Sequence, residues 1–65
     1  MQCFVNGEPI STQASTLADL LHELGYTGKK VVVAVNETFV PNTDWSTCTV
    51  QADDRLDVLS AIAGG

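Results

Sequence analysis

Positive charge is scarce in this chain: three Lys and Arg stand against eight Asp and Glu in 65 residues, a net charge of −5. Phosphate binding needs clustered basic side chains, so nucleic acid is excluded as a partner. Lys29 and Lys30 are the only basic neighbours, and a basic pair beside a helix end complements the helix dipole. An acidic surface favours encounter with a partner that carries a basic patch. Cysteine is limited to Cys3 and Cys48, too few for a disulfide framework or a zinc site. Both read as reduced thiols in or near the core, with a disulfide or a sulfur-relay thiol as the alternatives. No apolar run approaches the roughly 20 residues that span a bilayer. The opening Met1-Gln2-Cys3-Phe4 lacks the basic and then apolar build of a signal peptide. The expectation is a soluble cytoplasmic protein with no membrane partner, monomeric when free.

Catalytic constellations are missing too. His22 is the single histidine and sits beside Glu23 on a helix flank, where a solvated role is expected. Asp53, Asp54 and Asp57 bracket a turn and a strand start, the pattern of an acidic turn more than of a metal or acid–base site. Without a nucleophile–base pair, a glycine-rich phosphate loop or an HExxH motif, independent catalysis is not expected, and neither is a bound cofactor.

Hydrophobic residues nevertheless make up 45% of the chain and charged residues 17%, the composition of a folded domain. A chain this short buries only about 60% of its unfolded surface, so one efficient core must suffice. Met1 to Asn6 alternates with the period of a strand, Met1, Cys3 and Val5 on one face and Phe4 on the other. Asn6-Gly7 tolerates positive φ and marks a tight hairpin into a weaker strand over Pro9 to Gln13. Leu17, Leu20, Leu21 and Leu24 form the apolar stripe of a helix, with Thr16 as N-cap and Gly25 beyond the C-terminus. Val31 to Val35 has the β-branched composition of a central strand covered at least partly on both faces. Asn36-Glu37 turns into a short strand over Thr38 to Val40, kept short or at an edge by Pro41. Residues 42–47, with Trp45, read as loop, and a last strand runs from about Arg55 to Ser60. In that strand Leu56 and Val58 read as inward and Leu59 as outward. The order ββαββ plus one strand predicts an α+β fold, one mixed sheet with a single main helix packed on one face. The domain would cover residues 1–60, leaving 61–65 as a flexible C-terminal tail.

That tail, Ala61-Ile62-Ala63-Gly64-Gly65, is where chemistry is expected. Fully extended, five residues reach roughly 17 Å. Gly64 and Gly65, without side chains, could thread a narrow channel and present a terminal carboxylate, with Ala63 completing the slender approach. A free carboxylate is a poor electrophile, because its charge repels nucleophiles and it has no good leaving group. Adenylation by a partner would supply one, AMP, and a sulfur donor could replace it to leave a thiocarboxylate.

The chain resembles the ThiS sulfur carriers over its whole length. The resemblance rests on Met1–Asn6 with Asn6-Gly7, Thr16-Leu17-Ala18-Asp19-Leu20-Leu21, Val33-Ala34-Val35-Asn36, Val40-Pro41 with Trp45, and the tail from Ala61 to Gly65. It implies a ubiquitin-like β-grasp fold and a role in making the thiazole half of thiamine. Gly65 would be adenylated by a ThiF-like E1-type enzyme using ATP and Mg, converted to a thiocarboxylate by way of a sulfur-donating enzyme, and presented to a ThiG-like thiazole synthase. The same resemblance places partner binding on the open sheet face, at Phe4, Leu59 and Ile62. A MoaD-like carrier for molybdopterin synthesis and a ubiquitin-like protein modifier are the alternative functions. Two positions depart from the family pattern. Ala52-Asp53-Asp54 stands where Gly-Asp is usual, so Asp must tolerate left-handed backbone. Asn42 stands where Arg is frequent.

Overall fold

In the computed structural model, which describes residues 1–26 and 30–60, two tight turns organise the sheet. Asn6 and Gly7 take φ of 52° and 84°, and Asn36 and Glu37 take 50° and 71°. Positive φ at both central residues gives a turn whose twist matches that of its flanking strands. The first turn closes β1 (Gln2–Val5) onto β2 (Glu8–Ser11), and the second closes β3 (Val31–Val35) onto β4 (Thr38–Val40). Helix α1 (Leu17–Glu23) lies between the hairpins, and β5 (Arg55–Ser60) follows them. The five strands form one sheet in the order β2-β1-β5-β3-β4. β5 runs parallel to β1 and antiparallel to β3, which makes the sheet mixed, as the element order predicted.

Helix α1 begins and ends where its sequence dictates. The Thr16 hydroxyl accepts from the Asp19 N–H at 3.2 Å, one of the donors a helix start leaves without an internal partner. Gly25, at φ 87°, stops the helix in the left-handed region, which glycine enters without steric cost. Leu17, Leu20 and Leu21 are buried against Cys3, Val5, Val33, Leu56 and Val58, while Leu24 packs partly buried at the margin.

Val31–Val35 is an interior strand, between β5 and β4, as its composition predicted, while the middle place in the sheet belongs to β5, which joins the two hairpins. β3 is well covered on the helix side, where Val33 is fully buried, and less so on the other, where Ala34 is partly buried and Val32 is 45% exposed. The stretch read as plain loop contains a turn of 3-10 helix over Asn42–Asp44. Its continuation caps α1, since the Trp45 and Cys48 carbonyls accept from the Ala18 and Leu17 N–H groups at 3.0 and 2.8 Å. The indole N–H of Trp45 donates to the Val40 carbonyl at 3.0 Å, pinning that loop to the edge strand.

The departure at residues 52–54 keeps the turn in place. Asp53 takes φ of 70°, and its N–H donates to the Gln2 carbonyl at 2.8 Å. The Asp54 carboxylate accepts from the Gln51 N–H at 2.8 Å and from the Asn36 side-chain amide at 3.0 Å. These acids build a turn, and among the described residues no cluster of His, Cys, Asp and Glu is arranged to hold a metal ion.

Candidate functional site

The positions expected to carry the chemistry, Gly65 with Gly64 and Ala63, and the partner-contact residue Ile62, lie outside the described residues. What the structure shows is β5, the strand that leads to them, and how it is held. Two asparagines, one from each hairpin turn, reach onto it. Asn36 Oδ1 accepts from the Arg55 N–H at 3.0 Å, fixing the start of the strand. Asn6 grips further along: its Oδ1 accepts from the Val58 N–H at 2.8 Å and its Nδ2 donates to the Val58 carbonyl at 3.1 Å. Backbone pairing of β1 with β5 covers Phe4 opposite Arg55 and Val5 opposite Leu56. The Asn6 amide, which carries a donor and an acceptor like a peptide group, adds a further rung two residues before Ser60.

The sheet face away from the helix carries Arg55, Asp57 and Leu59 of β5, since Leu56 and Val58 point into the core. Leu59 is 65% exposed and lies opposite Val32, which is also exposed. Asp57 lies opposite Ala34, and Ala34 in turn opposite Phe39, which is 61% exposed. Val32, Phe39 and Leu59 therefore share one open face, with the Asp57 carboxylate among them. Large exposed apolar side chains gathered on one face mark an interaction surface more often than scattered ones do.

Phe4 and Leu59, expected to form one patch, share this face but not one place on it. Phe4 is half-buried opposite Arg55, and Leu59 lies four residues further along β5, about 13 Å at strand spacing. Phe4 instead lines a shallow cleft of about 700 Å³ with Gly7, Asn36, Glu37, Arg55, Leu56 and Asp57. The sequence reading missed Val32 and Phe39. Their exposure depends on the β3–β4–β5 register, although the two-residue Asn36-Glu37 turn fixes half of it.

Neither cysteine is in a disulfide. Cys3 is fully buried; burial pushes its thiol above the ordinary value, the Asp54 carboxylate adds to this, and the N-terminal ammonium opposes it. A raised pKa keeps the thiol neutral, and the thiolate is the reactive form. Cys48 is half-buried. Alkylation of the native protein followed by peptide mapping is expected to label Cys48 well before Cys3, with Cys3 reacting only after denaturation. Rapid native labelling of Cys3 would contradict its placement in the core.

A five-stranded mixed sheet with one helix on one face and an open opposite face defines a β-grasp domain. The family comparison goes further: the ThiS family matches residues 2–65, and the chain belongs to it. The crystal structure of the thiamine biosynthesis protein ThiS from Geobacter metallireducens has the same fold. Its TM-score is 0.83 at 25% identity, with all of each chain covered. Thiazole synthases of Magnetococcus marinus and Paramagnetospirillum magneticum are each 36% identical over 66 residues, covering 100% of this chain and 20% of theirs. The chain thus spans about a fifth of the length of these relatives. The uncharacterized protein ycf40 of Pyropia yezoensis is 29% identical over 62 residues, 94% of this chain and 87% of that one. Among the described residues no helix is long and apolar enough to cross a membrane.

Proposed function

We propose that this protein is a sulfur carrier for thiamine thiazole synthesis, acting as a co-substrate of partner enzymes and not as a catalyst. The observation that carries this reading is a family match running through residue 65, so that Gly64 and Gly65 fall within it. In the proposed cycle the Gly65 carboxylate attacks the α-phosphorus of ATP on a ThiF-like enzyme that holds Mg, and pyrophosphate leaves. A sulfur-donating enzyme then supplies the nucleophile that displaces AMP, and the carbonyl carbon ends bonded to sulfur. The thiocarboxylate delivers that sulfur to a ThiG-like synthase. Similarity to proteins named thiazole synthase favours this pathway over molybdopterin synthesis. Intact-mass analysis of protein isolated from its native host tests it. The expected species carries sulfur in place of one oxygen on Gly65, and an isopeptide-linked adduct in its stead would favour the modifier reading.

The exposed face supplies the docking surface in this proposal. Leu59→Ser and Phe39→Ser are expected to weaken binding of the adenylating enzyme by about tenfold or more, as loss of an apolar contact near the centre of an interface does. Their melting temperatures should stay close to wild type, because both side chains are mostly exposed. Phe4→Ser should cost more stability and less affinity, since Phe4 is half-buried at the other end of the face. Calorimetric titration alongside thermal melts checks this, and wild-type affinity in the Leu59 and Phe39 variants would remove the face from the proposal.

A further inference from the structure

We infer that Asn6 is a site of spontaneous covalent modification, deamidation, whose rate is set by the opening of the end of β5 and whose product releases that end. The chain has three asparagines, Asn6, Asn36 and Asn42, followed in turn by Gly7, Glu37 and Thr43. In deamidation the backbone nitrogen of the next residue attacks the side-chain carbonyl carbon. A glycine there offers the least hindrance, and a Cβ built on Gly7 would meet nothing within 4 Å. A bond forms between the Gly7 nitrogen and Asn6 Cγ, the Cγ–Nδ2 bond breaks, and ammonia departs with the proton from the Gly7 N–H. Water then opens the cyclic imide at either carbonyl, leaving aspartate or isoaspartate. The net exchange is water taken up for ammonia released, with no change in oxidation state.

The fold restrains this step. Both ends of the Asn6 amide are bound to Val58, at 2.8 and 3.1 Å, and the Asn6 N–H donates to the Leu56 carbonyl at 2.8 Å. For Cγ to turn towards the Gly7 nitrogen, the rung to Val58 must break. Reaction therefore proceeds from molecules in which this part of the β1–β5 junction has opened. Once formed, an aspartate at position 6 keeps an acceptor for the Val58 N–H but has no donor for the Val58 carbonyl. It sets a carboxylate oxygen against that carbonyl, and the formal net charge goes from −5 to −6. Losing one partner of a part-buried hydrogen bond costs more than the bond itself contributed. An isoaspartate also adds a backbone atom to a two-residue turn whose φ values are already committed at 52° and 84°. Either product loosens β5 at Val58, two residues before Ser60. That this alters presentation of the C-terminus rests on the carrier reading; the modification itself does not.

The test uses the full-length protein, aged in mildly alkaline buffer either native or in urea, with peptide mapping by mass spectrometry. Asn6 should convert before Asn36 and Asn42 in urea, and about tenfold or more slowly in the native state, because only locally opened molecules react. Hydrogen exchange on Asn6→Asp, made directly, should show the Val58 amide losing protection relative to the amides of Val33 and Leu20. Faster conversion of another asparagine in urea would overturn the assignment of the site, and equal rates with and without urea would overturn the gating. Unchanged Val58 protection in Asn6→Asp would overturn release of the strand. Because the rate comparison uses the unmodified protein, it stands even if the variant folds poorly, and it is independent of whether Gly65 carries sulfur.

Discussion

Deletion of Gly65, or addition of one residue after it, is expected to abolish ATP–pyrophosphate exchange by the adenylating partner while leaving the denaturant midpoint unchanged. The proposed adenylation requires the carboxylate to sit in line with the α-phosphorus, and a displacement of one residue, about 3.5 Å, would move it out of bonding range. Truncation also places the reacting carboxylate on Gly64, one residue short of that position. Gly65 lies five residues beyond Ser60, and the core among the described residues is built from Cys3 to Val58. Function and stability should therefore separate cleanly. Undiminished exchange by the deletion variant would sink the proposed site, whereas a shifted midpoint would show that the terminus contributes to the fold.

The largest effect on stability is expected from Leu20→Ala. Leu20 is fully buried, on the one α-helix among the described residues, which covers the sheet. Large-to-small changes at such positions cost about 2–5 kcal/mol. A domain of this size holds in reserve about 5 kcal/mol in total, so the variant should be largely unfolded at ordinary temperature. Leu21→Ala, at 3% exposure, should behave similarly. Leu24→Ala should be milder, because Leu24 is only partly buried at the edge of the core. Urea titrations followed by circular dichroism would check the order, and equal midpoints for Leu20→Ala and wild type would mean that another face of α1 is buried.

Much of this was written in local chemistry. The helix was legible because Thr16, four leucines at helical spacing and Gly25 each act within one or two turns of chain. The Asn6-Gly7 turn was legible because asparagine and glycine are among the few residues that enter positive φ readily, whereas Glu37, at φ 71°, follows no such preference. The left-handed Asp53 could be anticipated for the same reason as Asn6. Inward Leu56 and Val58 and outward Leu59 followed from strand alternation alone. Phe4 shows where alternation stops: it gave the correct face but could not say that the ring is half-buried, or how far along the sheet Leu59 lies.

The sequence by itself determined the element order, the buried stripe of α1 and the places of the hairpin turns, and its family match reaches residue 65. Those features depend on contacts between residues close in the chain, where dihedral preference and periodicity dominate. Only the tertiary structure decided that β5 is the central strand, that Val32 and Phe39 join Leu59 on the open face, and that Asn6 closes on Val58 across 52 positions. Each of these depends on strand order and register between distant segments. Composition cannot encode them locally, because a valine or an asparagine satisfies the same short-range rules in several different pairings.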